Sequence, residues 1–127
     1  MRRSYAEAFR DRLLSLAGTM ASLPLAAAVG QWVRALVAIH AEDPGLHNAV
    51  SVAGIDGGER RLFHQFAASW LEARSNEVRR PNRPLAATIA LDAAESLIHG
   101  VALRHPKRLD EEFAAEVTDL LTRYLAK

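Results

Sequence analysis

The sequence predicts an all-α fold, a bundle of five or six helices in which the last two long helices form a four-helix dimer interface. Three observations predict it. Half of the 127 residues are hydrophobic while aromatics make up only 6%, so Ala and Leu carry the core, and no β-branched run calls for a strand. Apolar residues recur at steps of three and four from Tyr5 onward, the period of one helix face. Residues 84–125 then read as two helices joined by a short basic hairpin, the first apolar on two sides. Leu85, Ile89, Ala93, Leu97 and Val101 form one i, i+4 row, and Leu91, Ala94, Ile98 and Ala102 form a second. So wide an apolar cover needs two partners, and in a short chain the second is expected to be another copy.

The first helix is predicted over 4–21, with Tyr5, Phe9, Leu13, Leu16 and Met20 on its buried stripe. Ser22 is a candidate cap for the second helix, with Pro24 in the first turn, where a missing N–H costs little. That helix carries Leu25, Val29, Trp32, Leu36 and Ile39 on one face and stops near Asp43-Pro44. A short helical piece is expected over 44–52, followed by a break at the glycines of 54–58. The third long helix is predicted over 59–79, burying Leu62, Phe63, Phe66, Trp70, Ala73 and Val78. A basic connector, Arg79 to Pro84, leads into the fourth, which His105-Pro106 ends. Asp110, Glu111 and Glu112 open the last helix at its positive end, and Arg123 and Lys127 sit at its negative end.

This length suits one domain, 1–127, with one continuous core. A formal net charge of +1 argues against a broad basic surface for nucleic acid. Without cysteine there is no disulfide and no thiolate chemistry, in keeping with a reducing cytoplasm. Residues 13–33 carry no charge, and Arg2-Arg3 ahead of them mimic a secretory signal. Against that, Glu7 and Asp11 lie in the would-be positive region, and Gly18, Ser22, Pro24 and Gln31 dilute the run. The reading is a soluble, cytoplasmic chain with no membrane partner.

Catalytic and metal chemistry find little footing. His40, His47 and His64 are scattered, and Glu95 and His99 stand at i, i+4, unlike the Glu-x-x-His of di-iron bundles. With Asp92 they read as a polar seam that sets pairing register. No G-x-S-x-G occurs, and the 54–58 glycines lack the lysine of a phosphate loop. No cofactor, metal or catalytic residue is assigned. Trp32, Phe63, Phe66 and Trp70 are the more informative group, because bulky aromatics among Ala and Leu line small-molecule pockets between helices. Plain core packing is the alternative. Arg79, Arg80, Arg83, Arg104, Lys107 and Arg108 lie around the two ends of one helix and read as solvated connectors.

The residues Ala93, Glu95, Leu97 and His99, then Pro106 and Leu109, then Leu120-Leu121-Thr122-Arg123-Tyr124-Leu125, resemble the C-terminal helix pair of the tetracycline-repressor-like (TetR) transcriptional regulators. Residues 33–40, followed by Asp43-Pro44, are similar to an earlier helix of the same effector domain. The resemblance implies a ligand-sensing and dimerisation domain of a repressor, covering residues 5–125, and not an enzyme. A small, mainly apolar effector would meet Trp32, Leu36, His40, His47, Phe63, Phe66, Trp70 and Ile89. The homodimer would pair through Leu91, Glu95, Ile98, His99, Ala102, Phe113, Val117, Leu120, Leu121 and Tyr124. The few residues before Tyr5 are too short for a helix-turn-helix, so operator DNA is expected to be reached only through an N-terminal domain missing here. The alternatives are a standalone interaction protein without ligand and a small-molecule enzyme.

Overall fold

The computed structural model describes residues 5–42 and 57–127. Helices α1 (Tyr5–Met20), α2 (Leu25–Glu42), α3 (Gly57–Glu72), α4 (Arg83–Arg104) and α5 (Glu111–Leu125) follow in order, with a 3-10 turn at Pro106–Arg108. The all-α bundle is as expected; the short piece anticipated at 44–52 lies outside the described residues. The uncharged run of 13–33 is not one span, because the turn at 21–24 divides it between α1 and α2.

Helix α2 packs against α1, α4 and α5, while α3 lies mainly along α4. The core joins Leu25, Val29, Val33, Leu36 and Val37 of α2 to Ala86, Ala87, Ala90, Ala94 and Ile98 of α4. Ala114, Val117, Leu121 and Leu125 complete it from α5. Small residues on the inner side of α4 let its backbone come close to its neighbours. Two ends of α4 and α5 are tied locally: Asn82 accepts from the Leu85 N–H at 3.1 Å, and Asp110 from the Phe113 N–H at 3.0 Å. Each satisfies an orphan donor of a first helical turn.

The two apolar rows of α4 have different fates. Ala94, Ile98 and Ala102 are buried, together with Ala86, Ala87 and Ala90. The other row stays outside: Leu85 is 52% exposed, Ile89 42% and Leu97 40%, and Leu103 near the helix end is 51% exposed. By length and composition α4 is the one described helix able to cross a membrane. Its alanine face, however, is packed inside the bundle, and Asp92 and Glu95 sit at its middle.

Two local expectations give way to long-range contacts. The Ser22 hydroxyl donates to the Thr19 carbonyl, ending α1, while the Leu25 N–H at the start of α2 is met by Glu77 Oε1 at 3.2 Å. Beside Glu77, Arg74 donates to the carbonyls of Met20 (2.6 Å), Ala21 (2.9 Å) and Leu23 and pairs with Glu77 Oε2 at 3.2 Å. A cation thus faces the negative end of α1 and an anion the positive end of α2. The same residues explain why α3 stops at Glu72 and not at 79. Beyond it the chain turns, and Val78 bridges Ala126 in an antiparallel pair, with Arg79 N–H to Leu125 O at 2.7 Å and Lys127 N–H to Glu77 O at 3.0 Å. Leu62 (61% exposed) and Ala73 face outward, and Leu71 is buried in their place.

The basic connector is not simply solvated. Arg79 donates to the Arg123 carbonyl and Arg80 to the Tyr124 carbonyl, each at 2.8 Å, and the Arg80 guanidinium lies 4.2 Å from the centre of the Tyr124 ring. Both satisfy carbonyls at the last turn of α5.

Arg74→Ala is expected to lower stability by about 3 kcal/mol, because it strips charged donors from three carbonyls and leaves Glu77 unpaired. Arg123→Ala, which breaks an exposed pair with Asp119, is expected to cost about 0.5 kcal/mol or less. Urea unfolding of the two variants checks the contrast.

Candidate functional site

All five described helices contribute to the wall of one apolar cavity of about 70 Å3. Met20 comes from α1, Val29 and Trp32 from α2, and Phe66, Ala67, Trp70 and Leu71 from α3. Ala87, Ala90 and Leu91 come from α4, and Leu121 and Leu125 from α5. The opening exists because α4 presents alanines toward the two tryptophans. Burial is the only attraction such a lining offers, apart from one donor: the Trp70 indole Nε1–H is buried and has no hydrogen-bond partner.

Three of the eight residues assigned to a ligand, Trp32, Phe66 and Trp70, meet at this cavity. Leu36 and His40 do not, because both are fully enclosed in the core of α2, at 1% and 0% exposure. Ile89 points outward while its neighbours Ala87, Ala90 and Leu91 line the wall. Phe63 is half-buried on α3 without lining the cavity, and His47 lies outside the described residues. Val29, Leu71, Ala87 and Ala90 are lining residues the sequence reading passed over. Alanine leaves no signal there, since its contribution is the bulk it lacks.

The residues assigned to pairing also divide. Ile98, Ala102, Val117 and Leu121 are buried within the chain, and Leu91 and Leu121 line the cavity. Phe113 and Tyr124 pack against the core, partly buried. Glu95 and His99 are part-buried on α4, and Leu120 stands 53% exposed on α5. The helix period finds apolar faces but not which face turns inward.

The polar seam is directed within the chain. His64 of α3 and Asp92 of α4 approach at 3.4 Å. His99 meets His40 of α2 edge to face, ring centres 6.3 Å apart. His40 Nδ1 lies 2.8 Å from the Leu36 carbonyl, which can only accept, so Nδ1 carries the proton. Burial pushes the His40 imidazole below its ordinary value, against the pull of that hydrogen bond and with some help from His99. Among the described residues, no group of three His, Asp or Glu could hold a metal ion.

A family model described as the tetracycline repressor-like C-terminal domain matches residues 24–125. The chain belongs to that family. No curated protein and no solved structure matches it. The TetR-like match spans α2 to α5 and so takes in most of the cavity wall and the whole outward row of α4.

The buried imidazole makes stability pH-dependent. The folded site refuses a proton that the unfolded chain accepts, so the contribution is fully present above about pH 6.5 and declines as pH falls below it. The slope from one such group is at most about 1.4 kcal/mol per pH unit. Urea unfolding at about pH 7.5 and about pH 5.5 should show this loss, and His40→Gln should reduce the difference between the two.

Proposed function

We propose that this chain is the ligand-sensing and dimerisation domain of a TetR-like transcriptional repressor acting in the cytoplasm. The cavity receives a small, mainly apolar effector, and a second copy covers the outward faces of α4 and α5. The single observation that carries the reading is the division of α4. It lines the cavity with Ala87, Ala90 and Leu91 while holding Leu85, Ile89, Leu97 and Leu103 outside. Helix α5 packs beside it and adds the exposed Leu120. Apolar residues gathered on adjoining helices fit a self-complementary two-fold interface. In the complete regulator, a DNA-reading domain joined to this one would respond through the equilibrium that ligand and DNA share.

One observation favours a second reading. A cavity of about 70 Å3 is small for an effector, and a pure interaction module would pair without responding to any ligand.

Sedimentation at about micromolar concentration should give a dimer, the association free energy being about 8 kcal/mol or more. Ile89→Asp and Leu120→Asp, at exposed positions, should leave the fold intact and weaken association by about 2–4 kcal/mol. A monomeric unmutated chain would overturn the pairing.

Across a panel of apolar compounds, a saturating ligand should stabilise the fold by roughly 3 kcal/mol at about a hundredfold excess over Kd. Trp70→Ala, which strips apolar wall from the cavity, should lessen that gain at the same ligand concentration without abolishing binding. No thermal shift across the panel, with the dimer intact, would favour the interaction module.

A further inference from the structure

The inner cavity is partly open, but a ligand of benzene size or larger fits it only if part of its wall moves. The space measures about 70 Å3, roughly half that of an apolar cavity able to accept benzene (about 150 Å3). A packed interior yields where open volume lies behind the wall. Two lining side chains have such volume. Phe66 is 45% exposed and would turn into bulk water, uncovering its ring. Trp70 instead also walls a second, open cleft of about 520 Å3, formed by residues 21–24 with Ala73, Arg74 and Glu77.

Three features single out Trp70. Its N–H has no hydrogen bond to break on rotation. Its ring lies 4.3 Å from the Arg74 guanidinium, a cation that attracts the π-face. Arg74 is itself anchored to the carbonyls of Met20, Ala21 and Leu23, so the ring moves against a fixed support. The cleft is open to solvent and wide enough to take a displaced ring and the polar end of a ligand. Its polar groups are Ser22, Arg74 and Glu77, whereas the inner cavity is lined by apolar residues.

We propose that Trp70 is a movable partition between the inner cavity and the outer cleft, and that the open site spans both. The site then takes an elongated molecule with an apolar body and one hydrogen-bonding end. The body lies among Trp32, Ala90 and Leu91, and the polar end lies at Ser22, Arg74 and Glu77. This inference rests on the ligand-binding reading above.

N-phenyl-1-naphthylamine, fluorescent in apolar surroundings, tests the partition by stopped-flow. Trp70→Ala joins the two volumes permanently and should speed probe entry about tenfold, equivalent to about 1.4 kcal/mol, and by more than Phe66→Ala, which opens the wall to water instead. Trp70→Leu replaces Trp70→Ala if the latter loses cooperative thermal unfolding. Faster entry in Phe66→Ala and an unchanged rate in the Trp70 variant would overturn the partition but keep the cavity. Absence of binding in the unmutated chain and in both variants would overturn the cavity reading, and the partition with it.

Octanol, an apolar chain with one hydroxyl, tests the span. It should displace the probe and shift the amide resonances of Leu23, Leu25 and Glu77 as well as those around Trp32. Shifts confined to the surroundings of Trp32 would overturn the two-volume site.

Discussion

The rest of the structure depends on the placement of small residues on the inner side of α4. Ala86, Ala87, Ala90 and Ala94 are each at most 7% exposed. Alanine has no side-chain rotamer to fix and takes little room, so α4 can lie close to its neighbours. A core built this way has little bulk to fill the space beside Trp32 and Trp70, and the cavity is the result. The same arrangement leaves Leu85, Ile89, Leu97 and Leu103 on the outer side of α4, while Ile98 is buried and Leu91 lines the cavity. Inner cavity and outer apolar row are two consequences of one choice of side chains.

The segment after α3 ties the rest of the bundle together. Arg74 and Glu77 hold the turn between α1 and α2, while Arg79 and Arg80 hold the last turn of α5. Charged side chains therefore meet helix ends of opposite sign at both places. Trp70 lies one turn before Arg74, near the end of α3, and belongs to the cavity wall. The wall most able to move is thus fastened to residues that fix helix ends, which sets the direction in which it can go.

Much of this was legible from side-chain period alone. Apolar spacing located four of the five described helices to within a few residues, and Pro84 and Pro106 marked boundaries correctly. The acidic start of α5 was equally plain, with Asp110 as its cap. The end of α3 was not, because what stops it is a contact of Glu77 with a residue 52 positions away. Ser22 looked like a cap by its type and position, but a carboxylate from elsewhere takes that place. His40 looked like a polar contact for the ligand, and it is instead closed into the core with its Nδ1–H donating to the Leu36 carbonyl. Which apolar row of α4 turns inward was also hidden. The resemblance assigned Ile89 to the ligand and Ile98 and Ala102 to pairing, while close approach of helices turns the row of Ile98 and Ala102 inward.

The pairing of α4's outer row with a second copy is best tested by a nitroxide attached at Ser96→Cys. Ser96 is exposed on α4 between Ala93 and Leu97, and the chain has no other cysteine to compete for the label. Electron paramagnetic resonance should find the label immobilised and coupled to a second spin in the unmutated background, and released when Leu120→Asp is added. Fast, uncoupled motion in both would contradict a shared outer face.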